Sequence, residues 1–214
     1  MLRENLSRYL RILQKNLWLS HGVNMLLAFL FLALAPIIFS INDLTYSESA
    51  RITEQYVSVI GIFLLTPIFR PESDHDIREV VESKYTWQIG IYLIRIGMAV
   101  ITIILLTMGF IFCMKTNNSM VVLWDYIFAT SCTALFLGSM GLLAYGISDQ
   151  LILGYMIPLG YILLNMFTGK KYVKKFYLYS LMKESMEEKY WLLVGAILMI
   201  LATLIYKCLL AKRS

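Results

Sequence analysis

Ile89–Cys113 reads IGIYLIRIGMAVITIILLTMGFIFC, 25 residues with a single charge, Arg95. A helix needs about 20 apolar residues to cross the hydrocarbon core. Lipid offers no hydrogen bonds to an open backbone, so a stretch of this length and composition reads as a spanning helix. Five more apolar runs accompany it, at about 23–42, 55–69, 121–148, 151–168 and 190–210. The expected fold class is an all-α membrane protein with six transmembrane helices, forming one transmembrane domain over residues 1–214. The composition agrees: 59% of the 214 residues are hydrophobic and 15% are charged. A soluble domain carries nearer a quarter charged. The runs at 55–69 and 151–168 are short, which predicts either a break or an extension into neighbouring polar residues. Pro158 and Gly160 predict a kink or break in the fifth span.

The flanks set the expected orientation. Residues 1–20, MLRENLSRYLRILQKNLWLS, place Leu2, Leu6, Tyr9, Leu10, Leu13 and Leu17 at spacings of three and four, with Arg3, Arg8, Arg11 and Lys15 between them. This predicts an amphipathic helix lying in the headgroup layer. The first basic flank usually dominates orientation, so both termini are expected in the cytoplasm. The opposing signal is the loop 169–189, expected to be extracellular although it carries six lysines. Its Val173, Phe176 or Tyr177, and Leu181 fit one face of an interfacial helix, and a mobile outer loop is the other reading. Either form offers a lid or a contact for anionic lipid. The net charge of +5 therefore reads as an orientation signal, and no nucleic-acid partner is expected.

A long, strongly charged stretch lies between the second and third spans, TPIFRPESDHDIREVVESKYT, Thr66–Thr86. Pro67 and Pro71 end the second span. Asp76 with Glu79 three residues on resembles a capping box. Ile77, Val80, Val81, Lys84 and Tyr85 then follow at helical spacing, with Arg78, Glu79 and Glu82 on the other side. The expectation is a short cytoplasmic helix with one apolar and one ionic face. Asp74, His75 and Asp76 are consecutive and cannot all face one ion from a helix, so no metal site is expected.

Chemistry inside the chain is poorly supported. His21 and His75 are the only histidines, and neither lies in an apolar run. No P-loop and no nucleophile elbow is present, so no enzyme activity is expected. Arg95 stands out because a charge within a span is a functional candidate. The alternative is that it snorkels to the inner headgroups or pairs with a group such as Asp149. Asp125 is expected at the opposite membrane face. Ala134, Gly138 and Gly141 form a small-residue stripe that lets helices approach closely.

Taken together, the basic N-terminal helix, the six spans and the motif Pro67-Ile68-Phe69, Pro71-Glu72, Asp74, Ile77-Arg78-Glu79, Ser83-Lys84-Tyr85-Thr86, followed by Arg95, resemble the permease subunits of type-2 ABC exporters, in their small bacterial six-span form. The resemblance covers nearly the whole chain. It implies a multi-pass protein of the bacterial cell membrane that works as a homo- or heterodimer of permease halves with a cytosolic ABC ATPase. ATP and Mg would sit on that ATPase, and this chain would hold no cofactor of its own. It implies that residues 71–87 are a coupling segment, with Asp76, Ile77, Arg78, Glu79, Glu82, Lys84 and Tyr85 meeting the ATPase. It also implies a substrate path between the halves, lined partly by the second and fifth spans. The family's commoner coupling segment has Glu followed by Gly-Thr, and Gly-Thr is absent here. The alternative reading is the membrane substrate-binding subunit of a vitamin-type importer.

Overall fold

A computed structural model describes residues 22–72 and 88–211. The helix expected over 1–20 and the coupling helix expected over 76–85 lie outside the described residues.

Six helical spans form the molecule, with no strand among the described residues. Span one is α1 (Gly22–Phe39). Span two combines α2 (Tyr46–Gln55), a 3-10 turn at Val57–Val59 and α3 (Ile60–Leu65), and covers Tyr46–Phe69. Span three is α4 (Gln88–Thr116) and span four is α5 (Leu123–Ser148). Span five is α6 (Leu151–Thr168). A four-residue α7 (Lys170–Val173) opens the next connection, and span six is α8 (Glu187–Ala211). The connections at 40–45, 117–122 and 169–186 share one end of the bundle, the loop end. The turn at 149–150 and residues 22 and 211 share the other, the tail end.

Of the break or extension expected for the second span, the structure shows the extension, and the break expected in the fifth is absent. The second span begins nine residues before its apolar run, at Tyr46, so YSESARITEQ lies within it. This polar stretch is helical because Thr45 caps it: its N–H and hydroxyl both donate to Glu48, at 3.0 and 2.6 Å. The fifth span has no break. It runs as one helix through Pro158 from Leu151 to Thr168. The two-residue turn before it is made by Asp149, which takes a left-handed conformation (φ 51°) and donates its N–H to Tyr145.

Spans two and four are the core. They are 78% and 72% buried, against 22–33% for the other four. Burial of this kind in lipid depends on close packing rather than on expulsion of water, and small residues make it possible. A Cβ at Gly61 would lie 1.9 Å from the Ala134 carbonyl oxygen, and one at Gly138 would lie 2.4 Å from that of Gly61. Lower down, a Cβ at Gly141 would lie 2.2 Å from Thr66 Oγ1 and 2.8 Å from the Gly154 carbonyl, so spans two, four and five meet at one point. Pro158 has no N–H to offer Gly154, which leaves that carbonyl aimed at the seam. Buried hydroxyls bond their own helix: Thr53, Ser58 and Thr133 donate to carbonyls one turn back.

The connection 169–186 is neither a continuous interfacial helix nor a strand-like strap. Short turns at Lys170–Val173, Lys174–Phe176 and Leu181–Lys183 bracket Tyr177–Leu181, all buried. There is room for it because span six starts low. Gly195 packs beside Phe136, and Thr203 beside Gly146. At 1.5 Å per residue, α8 therefore begins roughly 8–10 Å deeper than α5. The connection folds into that gap.

Candidate functional site

At the loop end, three spans and the folded-in connection converge on a buried ion pair. Glu54 sits in the last turn of α2, and Lys189 in the first turn of α8. Lys189 Nζ lies 2.5 Å from Glu54 Oε1, and both side chains are 0% exposed. The ammonium also donates to Thr133 Oγ1 on α5 at 2.8 Å and to the Leu178 carbonyl at 2.5 Å. Glu54 Oε1 in turn accepts the Leu181 N–H at 2.9 Å. Burying two charges costs several kcal/mol each unless they are paired and hydrogen-bonded. All three lysine protons are taken here. That removes Lys189 as a nucleophile and makes it a tie between span six, span four, span two and the connection.

Aromatic residues close this end. Tyr126 donates its hydroxyl to the Tyr46 carbonyl at 2.7 Å, and the two rings meet edge to face at 5.3 Å. Tyr177 and Tyr179 meet the same way at 5.8 Å. Burial pushes the Tyr179 phenol well above the ordinary tyrosine range, and the Glu54 carboxylate adds to it. Glu54 Oε2, Tyr179 Oη and Ser180 Oγ are buried with no hydrogen-bond partner among the described residues.

The tail end holds a second constellation. The chain tightens into a 3-10 helix over Thr66–Glu72 because Pro67 cannot continue the α-helical bonding. Pro71 likewise has no N–H for the Ile68 carbonyl, and Arg95 Nη1 takes it instead, at 3.2 Å. Arg95 is 7% exposed. It therefore neither snorkels nor pairs with Asp149. Asp149 is held by Lys207 at 2.7 Å. Lys207 also lies over the Phe69 ring, 5.5 Å from its centre, and Phe69 meets Tyr92 edge to face at 5.1 Å. Spans two, three, four and six are thus joined below Thr66.

No family model, curated protein or solved structure matches the chain.

Of the residues singled out in the sequence, Ala134, Gly138 and Gly141 lie on the α5 face against span two. Arg95 lies at the base of span two. Asp76, Ile77, Arg78, Glu79, Glu82, Lys84 and Tyr85 fall outside the described residues. Among the described residues, no three His, Cys, Asp or Glu side chains come together as metal ligands. The Glu54–Lys189 pair was missed. Glu54 stands one residue before an apolar run, and Lys189 was counted with the outer-loop lysines although the structure buries it. A signal existed: the first turns of span two carry Ser49, Thr53, Glu54 and Ser58 at helical spacing, a polar stripe that needs a partner inside the bundle.

Proposed function

We propose that this chain is the transmembrane half of an ATP-driven exporter of the type-2 ABC class. It would pair with a second permease half and a cytosolic ABC ATPase in a bacterial cell membrane, with both termini in the cytoplasm. The observation that carries the reading is the path of span two. The most buried span continues through Thr66–Glu72, the residues that precede the rest of the charged segment in sequence. A push or pull on Asp76–Tyr85 would be delivered to the hub of the bundle. Arg95, bonded to Ile68, would make spans two and three move as one at that point.

The uncovered part of span two supports a second half. Arg51, Gln55, Val59 and Phe63 recur every four residues and are exposed or half-buried, while the rest of the helix from Ile52 down is largely buried. This stripe is polar towards the loop end and apolar below. A partner half would enclose it and give a path whose character changes along its length. ATP-driven closure of the ATPases would then switch that path between its two openings, a coupling between distant sites of the kind linkage requires.

The experiment is the double substitution Arg78→Ala with Glu79→Ala in the assembled transporter. The expected result is loss of the ATPase from the purified assembly, or retained binding with ATP turnover uncoupled from transport. Normal co-purification with an unchanged transport rate would sink the coupling assignment. A purified assembly lacking the two-plus-two composition would favour the importer-type binding subunit.

A further inference from the structure

Spans five and six diverge under the connection and leave a groove of about 630 Å³. Its floor is the Phe136 and Phe176 rings, stacked at 5.8 Å. The floor is accessible because position 195 is glycine: a Cβ there would lie 2.9 Å from Phe136 and 3.1 Å from Phe176. Leu164 and Leu198 form the walls, and both are exposed. Tyr161 lines the groove but spends its hydroxyl on the Phe176 carbonyl, at 2.8 Å, so that hydroxyl is turned away from an apolar occupant, and the groove's other tyrosine, Tyr172, is largely exposed.

A polar pocket of about 320 Å³ adjoins the loop end of this groove, lined by Lys170, Lys174, Lys175, Glu187, Glu188 and Trp191. Lys170 is paired with Glu188, which also accepts the Ser185 hydroxyl at 2.5 Å. That pair raises the Lys170 ammonium above the ordinary lysine range. Glu188 is thereby matched, and Lys174 and Lys175 outnumber Glu187. Lys175 lies over the Trp191 ring at 4.3 Å, which sets its charge above the groove.

We propose that groove and pocket form one binding site for a single membrane lipid with an anionic headgroup. The acyl chain would lie on Phe136 and Phe176, and the phosphate would meet Lys174 and Lys175. Depth and charge argue for this occupant. Trp191 to Met199 is eight residues, about 12 Å of helix, close to one leaflet of a ~30 Å core. A lipid-facing groove capped by basic side chains at headgroup level matches both halves of such a molecule. A second copy of the chain would present apolar helix to the groove and leave the lysines without an anion. The proposal does not depend on the exporter reading, and its test needs no ATPase.

The test uses the full chain with Trp18, Trp87 and Trp124 changed to Phe, so that Trp191 alone emits. It is reconstituted in vesicles of phosphatidylcholine containing either phosphatidylglycerol or phosphatidylcholine with brominated acyl chains. Brominated phosphatidylglycerol is expected to quench Trp191 preferentially, by about fivefold in apparent affinity for each lysine engaged. Lys174→Gln with Lys175→Gln should abolish the preference and leave phosphatidylcholine quenching unchanged. Leu164→Phe with Leu198→Phe should weaken quenching by both lipids. Equal quenching by the two lipids, or a preference that survives the lysine changes, overturns the proposal. So does undiminished quenching in the groove variant. Absence of quenching in a chain that migrates as a dimer would place a second copy in the groove and overturn it as well. Far-UV circular dichroism confirms that each variant is folded.

Discussion

Lys189 carries three connections on one side chain, to Glu54, Thr133 and Leu178, so its removal has a calculable consequence. Lys189→Ala leaves Glu54 charged and buried with one backbone N–H for company. Breaking a buried pair from one side costs about 3–5 kcal/mol. The expected outcome is a large fall in the unfolding midpoint in detergent. Replacing both partners, Glu54→Leu with Lys189→Met, removes the charges together and should recover most of the loss. A double variant as unstable as the single one would mean that the backbone contacts to Leu178 and Leu181, and not the charges, carry the stability. Arg95 holds the Ile68 carbonyl. Arg95→Met should loosen the Thr66–Glu72 turn, seen as faster amide exchange there, without unfolding the bundle.

At the scale of elements, the seam between spans two and four is the feature most sensitive to volume. Gly138→Ala drives a methyl into the Gly61 carbonyl and should cost about 1–3 kcal/mol, the usual penalty for overpacking. Gly160 faces open space, and Gly160→Ala should be neutral or stabilise by up to about 1 kcal/mol through helix propensity. The comparison is read by thermal unfolding of the two variants side by side. The six spans were legible because lipid demands long apolar helices, and run length reports this directly. The upper half of span two was not, because YSESARITEQ has the composition of a surface helix. Its burial depends on Lys189, a partner that no local pattern announces. The connection at 169–186 was misread for a similar reason. Its lysines and aromatics suggested an interfacial helix or a mobile outer loop, yet Tyr177–Leu181 fill a gap that exists only because span six begins low.

For the whole molecule, the alternation of six spans makes a sidedness test simple. In a chain with Cys113, Cys132 and Cys208 changed to Ser, single cysteines at Lys171 and Gln150 lie at opposite ends of the bundle. A membrane-impermeant maleimide should label Lys171→Cys in intact cells and Gln150→Cys only after permeabilisation, if the proposed orientation holds. The reverse pattern would place the termini outside. Labelling of both from one side would break the six-span fold itself.

The buried pair also bears on how the chain is made. Glu54 lies in the second span to leave the ribosome, and Lys189 in the last. Through most of synthesis, span two holds a carboxylate whose counter-charge has not yet been translated, and the segment that supplies the Leu181 N–H is missing too. Insertion of this protein is therefore expected to be completed only at the end: a chain arrested after span five should stay bound to the insertion machinery or be degraded, and the arrival of Lys189 should release it as a finished bundle.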